Sequence, residues 1–305
     1  MCLRIGACSR SSDRTAVILF GPFLRFTLPV KVACVVAGVP LVHERGEFPF
    51  VYAGQPNWAA RVWRSLYLAT FFRLFDGVVV VSTLLEDFVR ERVRKATWVL
   101  RVPTIVDAEA FLCAEAPTGG LVGYAGNLAA AHREELFQLV GAVSALAPAH
   151  DDVRARIIGG GSPSDVAVLK EESARLGVED RVDLVGSVAG DDLPAQLCAC
   201  AALVLPRARG LFSSAGFPSK LGEYLATGRP VVVSATGDIP LYLQPDLNAY
   251  VVPPDDPTAF SEALERALYD PRAVGIGRAG QAAARTLFDP ATHMARVLEA
   301  LEASW

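Results

Sequence analysis

Residues 216–238 read GFPSKLGEYLATGRPVVVSATGD and place a helical pattern directly before a strand pattern. The pattern predicts a helix that begins after Pro218 and ends at Gly228, since proline suits a helix start and glycine a helix end. The apolar run Pro230–Ser234 then predicts a strand that is buried on both faces. Helices that alternate with buried strands are typical of parallel α/β sheets.

The same alternation extends in both directions from this stretch. Helical patterns such as Arg133–Leu146, Ser164–Leu176 and Leu193–Cys200 separate short apolar runs. The sequence therefore predicts the α/β class, with doubly wound parallel sheets covered by helices. The runs predicted as strands are Ala16–Phe20, Val39–Val42, Gly77–Val81, Thr97–Arg101, Leu121–Ala125, Ala155–Ile158, Val182–Val185, Ala202–Leu205, Pro230–Ser234 and Ala249–Val252.

A Pro/Gly-rich segment, EAPTGG, divides the strand–helix series near residues 114–120. We predict one domain over residues 1–114, a second over 119–285, and a C-terminal helix over 286–305 that packs back on the first domain. A nucleotide-binding doubly wound domain commonly has about six strands, which the second half supplies, whereas the first supplies about four. The short first half predicts uncovered strand edges or apolar surface.

Composition excludes several classes of protein. A hydrophobic fraction of 52% excludes a disordered chain, and a net charge of -4 gives no reason to expect a nucleic-acid partner. Charged residues and prolines interrupt the apolar early stretch, so no spanning helix and only a poor signal peptide are predicted. The cysteines are expected to be reduced, mostly in the core, in a cytoplasmic protein.

Four further segments precede the opening stretch in a fixed order: GLVGYAGNL, RARIIGGGSP, DRVDLVGSV and ACAALVLPRA. Together they resemble the donor domain of glycosyltransferase family 4, also called glycosyl transferases group 1. The likeness covers about residues 121–288. The first half resembles the same family's N-terminal domain from its middle onward, through GVPLVHERGE, DGVVVVSTLLEDF and VLRVPTIVDAEAF. The family's opening strand and Gly-rich loop, which lie in the region that meets the acceptor, have no counterpart.

The resemblance implies a GT-B fold, with two Rossmann-like domains that face a cleft and the first of them incomplete. It implies a hexosyl-type transfer from a nucleoside diphosphate sugar to an acceptor hydroxyl, with retention of configuration. No metal or other cofactor is expected, and the acceptor stays open between a glycan, a lipid-linked molecule and a small molecule.

Glu223 matches the family's glutamate that binds the ribose hydroxyls of the nucleotide. An ionised carboxylate only accepts hydrogen bonds and can take both vicinal hydroxyl protons. Lys220 lies one turn earlier, near the helix N-terminus, where a cation can meet a diphosphate. The alternatives are an exposed helix glutamate, a solvated lysine, or an ion pair between the two.

The remaining donor-site candidates follow from the resemblance as well. The family often has an arginine after the glycine that matches Gly126 and a lysine five residues later, where this chain has Asn127 and His132. We expect His132 or Arg133 to supply the phosphate charge, the alternative being two solvated residues at a helix start. A donor-sugar glutamate of the family is replaced by Ala215. The loop residues predicted to approach the nucleotide or the sugar phosphate are Gly160, Gly161, Gly186, Ser187, Ser214, Gly216 and Phe217.

Two features of the first half carry open alternatives. His43 and Glu47 follow a strand end, so they are either acid–base groups for the acceptor or a satisfied polar strand end. Aromatic and basic residues interleave over residues 58–73, which is the pattern of a peripheral membrane helix or of a packed helix with snorkelling arginines. Two rival functions also stay open: a nucleotide-sugar epimerase on the same fold, and a non-catalytic nucleotide-sugar-binding remnant.

Overall fold

The computed structural model describes residues 15–21, 24–50, 57–114, 117, 119–129 and 132–303. These residues form two sheets in which all strands run parallel, which confirms the predicted α/β class. The strands are β1 (Val17–Phe20), β2 (Leu41–Arg45), β3 (Gly77–Val80), β4 (Trp98–Arg101), β5 (Leu121–Ala125), β6 (Arg154–Ile158), β7 (Val182–Gly186), β8 (Ala202–Leu205), β9 (Val231–Ser234) and β10 (Tyr250–Val252).

Helices connect nearly all successive strands. They are α1 (Leu24–Ala37), α2 (Trp58–Thr70), α3 (Thr83–Arg90), α4 (Arg133–Leu146), α5 (Pro163–Arg175), α6 (Leu193–Cys198), α7 (Leu211–Ala215), α8 (Ser219–Ala226), α9 (Ile239–Tyr242), α10 (Pro257–Tyr269), α11 (Ala273–Leu287) and α12 (Pro290–Glu302). Short 3-10 helices cover Phe71–Leu74, Ala108–Phe111, Glu179–Arg181 and Gly190–Asp192.

The chain divides into two compact units that are not contiguous in sequence. The first holds the described residues up to Pro103, residues 214–217, and those from Ala291 onward. The second holds Thr104–Ser213 and Pro218–Pro290. The division at residue 103 lies about ten residues before the boundary expected from the Pro/Gly-rich segment.

The first unit has its sheet in the order β1-β2-β3-β4, with helices on one face and α12 on the other. On the face opposite α12, the sheet packs against an aromatic core. This core is built around four residues that are each no more than 1% exposed: Tyr67, Phe71, Phe72 and Phe75. On α12, Val297 and Leu301 pack against Val42, with Ile18, Val79, Trp98, Leu100 and Val102 around them. The sheet is therefore covered by residues from both ends of the sequence.

Strand β2 extends further than its apolar run predicts. The predicted strand ends at Val42, but pairing continues through His43, Glu44 and Arg45. These polar residues stay in the strand because they have partners: His43 Nδ1 lies 2.9 Å from the Leu19 carbonyl oxygen, and Arg45 donates from Nε to the Glu47 carbonyl oxygen.

The second unit has the strand order β10-β9-β8-β5-β6-β7. Counted from β5, this is the 3-2-1-4-5-6 order of dinucleotide-binding sheets. Its main core joins the sheet to α4 and α10, through residues such as Leu139, Val143, Phe260 and Leu264. In this topology a ligand binds where the strand order reverses, at the carboxyl ends of β5 and β8.

A disulfide between Cys113 and Cys198 corrects the expectation that the cysteines are reduced. It joins the segment after the 3-10 helix Ala108–Phe111 to the end of α6, across 85 positions of sequence. Sequence alone gave no pairing, because neither cysteine has a close partner along the chain. Cys34 and Cys200 are free and buried, as expected for core cysteines.

Among the residues that the structure describes, no helix is long and apolar enough to cross a membrane.

Candidate nucleotide-sugar site

A cavity of about 400 Å³ lies in the second unit, at the carboxyl ends of β5, β6 and β7. Its walls come from the three loops that follow these strands, from the start of α6, and from α8. The lining residues are Ala125, Gly126, Asn127, Ile158, Gly159, Gly160, Ser187, Val188, Leu193 and Lys220. Five predicted site residues are thus brought together: Gly126, Asn127, Gly160, Ser187 and Lys220.

Glycines allow the three loops to approach one another. Gly159 has φ 152°, and a Cβ there would overlap the carbonyl oxygen of Gly126. A Cβ on Gly160 would lie 2.5 Å from the Ser187 hydroxyl. Backbone hydrogen bonds then tie the loops together, from Gly126 N to Ile158 O and from Gly159 N to Gly186 O, both 2.9 Å. The result is a cavity floor of backbone, where a planar or anionic ligand can approach N–H and C=O groups closely.

Gly161 and Gly186 support this floor without lining the cavity. A Cβ on Gly161 would lie 2.9 Å from the Cβ of Leu128, so this loop also packs without room for a side chain. Gly186 has φ 82°, in the left-handed region that favours glycine. Both predicted residues shape the loops that hold the lining residues.

Lys220 and Glu223 lie in the first turn and the middle of α8. The Lys220 ammonium is 3.1 Å from Glu223 Oε2, and the two side chains are 33% and 21% exposed. The ion pair considered as an alternative from sequence is therefore present. It does not exclude ligand binding, because Lys220 lines the cavity and both groups keep access to solvent. Glu223 does not itself line the cavity, and its link to the cavity is its 3.1 Å contact with Lys220.

Tyr224 fixes the cavity wall and was not singled out from the sequence. Its fully buried hydroxyl accepts from Ala125 N at 2.5 Å and donates to Ala125 O at 3.1 Å. Strands β5 and β8 pair only at Val122 and Gly123, so the phenol takes the place of the missing strand partner beyond them. Burial raises the pKa of Tyr224, which keeps the hydroxyl protonated. No signal for this role is present in the sequence, because the partner residue Ala125 lies 99 positions away.

His132 and Arg133 both have acidic partners beside the start of α4. His132 Nδ1 is 3.0 Å from Glu135 Oε2, and Arg133 is 3.9 Å from Asp165. The His132 ring also meets Phe212 edge-on, with ring centroids 6.1 Å apart. Arg133 is the more exposed of the two at 43%, against 24% for His132. Neither lines the cavity, so their contact with phosphate stays a prediction.

Arg207 is a buried cation near this end of the sheet that sequence reasoning missed. It is 8% exposed, its backbone N–H donates to the Ser234 hydroxyl at 2.9 Å, and its guanidinium donates to Ser213 O at 3.4 Å. The guanidinium also lies 5.9 Å from the centroid of the Phe212 ring. Arg207 therefore holds the start of the loop that leads to α8.

The predicted sugar-phosphate residues Ser214, Gly216 and Phe217 belong to the first unit and do not line the cavity. Between them, Ala215 is 1% exposed in the first unit's aromatic core, and its carbonyl oxygen accepts from the Ser82 hydroxyl at 2.5 Å. A glutamate at this position would bury a charge among apolar groups, which explains why a small apolar residue suits this chain.

The two catalytic candidates of the first unit differ in exposure. His43 is 0% exposed, stacked on Phe75 with ring centroids 4.7 Å apart, and its Nε2 has no partner among the described residues. Burial lowers the pKa of His43 to about 4. This placement makes His43 a core residue, so it corrects the expectation that His43 is open to a reacting group. Glu47 is exposed at the end of β2, and its acid–base role stays a prediction.

Among the described residues, no group of three or more His, Cys, Asp or Glu side chains is arranged to hold a metal ion. Metal independence stays a prediction.

A family profile described as glycosyl transferases group 1 matches residues 119–270. The chain is 32% identical over 139 residues to D-inositol 3-phosphate glycosyltransferase of Salinispora tropica. The aligned region covers 44% of this chain and 28% of that protein. The enzyme of the same name from Streptomyces griseus is 32% identical over 153 residues, 48% of this chain and 31% of that protein. The chain thus matches about three tenths of the length of these relatives.

Solved structures share the fold over nearly the whole chain. HepE of Anabaena in complex with UDP and glucose has a TM-score of 0.74 at 18% identity, covering 94% of this chain and 78% of that one. Sucrose-phosphate synthase of Thermosynechococcus elongatus has a TM-score of 0.71 at 22% identity, covering 92% and 78%. These likenesses confirm the predicted GT-B fold class.

Proposed function

We propose that the protein transfers a sugar from a nucleoside diphosphate sugar to an acceptor hydroxyl, since residues 119–270 match the family profile described as glycosyl transferases group 1. The observation that carries the proposal is the cavity at the carboxyl ends of β5–β7. Lys220 lines this cavity, and its ion-pair partner Glu223 lies one turn further along α8. The cavity includes the carboxyl end of β5, which borders the point of strand-order reversal where doubly wound sheets bind nucleotides.

We assign the two side chains of α8 to different parts of the donor. Glu223 accepts hydrogen bonds from the two ribose hydroxyls, and Lys220 meets the diphosphate. Ligand binding then moves Lys220 from its 3.1 Å contact with Glu223 to a phosphate oxygen. Lys220 stabilises the leaving diphosphate because its charge is already in place when the sugar departs.

Uridine diphosphate is the first probe to use. HepE, which shares the fold, was solved with UDP and with UDP-glucose. The absence of side chains at the glycines of the floor would let a base approach the main chain of these loops closely. We further propose a hexose as the transferred sugar, retention of configuration, and reaction without a bound metal, in keeping with the family resemblance of the donor half.

The donor site is tested by calorimetric titration of UDP into the parent and into Glu223→Gln. We expect roughly a tenfold to hundredfold loss of affinity, corresponding to about 1.5–3 kcal/mol for hydrogen bonds to a charged group. Glu171→Gln, the same change on the exposed surface of α5, is the matched control and should bind as the parent does. Equal affinity of the Glu223 variant and the parent would remove the ribose assignment.

The phosphate assignment is tested by comparing UDP with uridine on Lys220→Ala. We expect a large loss of affinity for UDP and little change for uridine, because only UDP carries the charge that Lys220 meets. Lys170→Ala, on exposed α5, is the control. A similar loss for both ligands would mean that the substitution disturbs the cavity and that Lys220 makes no specific phosphate contact.

Transfer itself is tested with UDP-glucose and a panel of hydroxyl acceptors, measuring free UDP and glycosylated product together. Release of UDP in step with product supports the transferase. A sugar converted to its epimer while still attached to UDP supports the rival epimerase. Tight binding without either reaction supports a nucleotide-sugar-binding protein.

A further inference from the structure

Helix α2 turns its apolar face outward. Trp58, Val62 and Leu66, which share one face at four-residue spacing, are 80%, 62% and 61% exposed, and Trp63 beside them is 51% exposed. Tyr67 is the single buried residue of the helix. A packed amphipathic helix shows the reverse arrangement, with its apolar face against the core. The sequence left two alternatives for this helix, a peripheral membrane helix and a packed helix with snorkelling arginines. The exposure of its apolar side chains argues against the packed helix.

Helix α1 has the same character. Phe26, Leu28, Val32, Val35 and Val36 are exposed, with Val36 at 84%. The buried residues of this helix are Thr27 and Cys34.

The outward faces of α1 and α2 lie on one side of the first sheet. Helix α1 connects β1 to β2, and α2 connects β2 to β3, so both connections move to the next strand in the same direction across the sheet. Because such crossovers are right-handed, both helices lie on the same face of the sheet. Both helices also contact the 3-10 helix Phe71–Leu74. We call the nine large apolar residues that these helices expose the outward apolar patch: Phe26, Leu28, Val32, Val35, Val36, Trp58, Val62, Trp63 and Leu66. Patches of this kind mark interaction surfaces.

Helices α1 and α2 contain basic residues and no acidic residue. The sequence has no Asp or Glu over residues 15–43 or over residues 48–75, although acidic residues outnumber basic ones in the chain by 33 to 29. The same two segments carry five basic residues: Arg25, Lys31, Arg61, Arg64 and Arg73. Of these, Lys31 is neutralised by Asp76 at 2.8 Å.

A basic cleft adjoins the C-terminal end of α2. Its volume is about 310 Å³, and Leu68, Ala69, Arg73, Glu91 and Arg92 line it. Arg92 is paired with Glu91, whereas Arg73 makes no salt bridge among the described residues. A cation in a cleft beside an apolar patch suits a phosphate group held at a lipid surface.

We propose that the outward apolar patch binds the surface of an anionic phospholipid membrane, with α1 and α2 lying in the headgroup region. Indole side chains favour this depth because one part of the ring is apolar and the N–H is polar, which accounts for two exposed tryptophans on one helix. Arginines at the patch attract anionic lipids, and the absence of Asp and Glu from α1 and α2 themselves limits the repulsion that would oppose binding. This inference does not depend on the donor site.

The test is sedimentation of the full chain with two kinds of vesicle: phosphatidylcholine alone, and equal parts of phosphatidylcholine and phosphatidylglycerol. We expect binding to the anionic vesicles, weakened by salt, with a blue shift of tryptophan emission. The triple variant Trp58→Gln/Val62→Gln/Leu66→Gln should lose at least tenfold in partitioning. Arg61→Gln and Arg73→Gln should each lose about fivefold.

The matched control is Leu241→Gln/Leu247→Gln, which changes residues of the second unit that are 64% and 56% exposed. It should bind vesicles as the parent does. All of these side chains are exposed, so the variants should fold, and circular dichroism checks this. A parent that stays in the supernatant, or binds both vesicle types equally, overturns the proposal. A dimer in the absence of vesicles that the triple variant dissociates also overturns it, by identifying a second copy as the occupant.

Discussion

The hydroxyl of Tyr224 makes two hydrogen bonds to one residue of a neighbouring strand, Ala125, at the edge of the cavity. Tyr224→Phe keeps the ring and removes both bonds, leaving a buried N–H and C=O without a partner. We expect a loss of about 1–3 kcal/mol in the free energy of unfolding, measured by urea denaturation. Tyr269→Phe, which removes an exposed hydrogen bond to Asp152, is the control and should lose less. Equal losses would show that the Tyr224 bonds add nothing beyond a surface contact.

The buried His43 predicts a pH dependence of stability. Its pKa is lowered to about 4 by burial, against 6.5 for the free side chain, so the unfolded chain binds the proton more readily. The stabilisation is therefore complete above pH 6.5 and is lost as the pH falls towards 4. The loss amounts to roughly 3 kcal/mol at 1.36 kcal/mol per pKa unit.

The measurement for His43 is the free energy of unfolding of the parent and of His43→Leu between pH 7 and pH 4. We expect the difference between the two proteins to change by that amount over this range, since a leucine cannot take up the proton. A difference that stays constant with pH would mean that His43 has the same pKa in the folded and the unfolded chain, and would contradict the prediction.

For single residues, the sequence predicted which loops form the cavity, but it did not predict the burial and the contacts of individual side chains. Gly126, Gly160 and Lys220 line it because the motif order fixes which loops follow which strands. Burial of His43 could not be foreseen, since it depends on Phe71 and Phe75, which arrive from a segment some thirty positions away. The Tyr224 contact spans 99 positions and leaves no local signal.

At the scale of elements, the disulfide ties α6 to the segment at the start of the second unit. Closing a loop of 85 residues should stabilise this unit by about 2–4 kcal/mol, because the cross-link limits the unfolded chain. Cys113→Ser/Cys198→Ser should therefore lower the denaturant midpoint, and a reducing agent should do the same to the parent. Cys34→Ser, a change at a free and buried thiol, should not alter the response to the reducing agent. A parent that is insensitive to reduction would contradict the prediction.

The strands were predictable and some helices were not, for a physical reason. Most strands are short apolar runs, several of them rich in valine and isoleucine, so their signal is local. Helix α1 gives no amphipathic signal, because its residues are apolar on nearly all sides and Pro29 interrupts the pattern. Helix α7 has five residues, too few for a periodic pattern, and Ala215 at its end packs in the core of the first unit.

At the scale of the molecule, the two units could not be derived from one boundary. Three separate stretches of sequence make up the first unit, and a break in composition marks only the change from one strand–helix series to the next. The return of α12 was expected from sequence as a helix, but its partners Val42 and Leu100 follow only from the fold.

The position of α12 also sets an order of events during synthesis of the chain. Strands β1–β4 leave the ribosome before the helix that covers Val42, which follows them after roughly 190 further residues. At about 5–20 residues per second, translation leaves one face of the first sheet bare for roughly 10–40 s. The second unit can close its core within that interval. The first unit therefore begins before the second and is completed after it, and a nascent chain stalled before Pro290 should expose the uncovered face of the first sheet to chaperones and proteases.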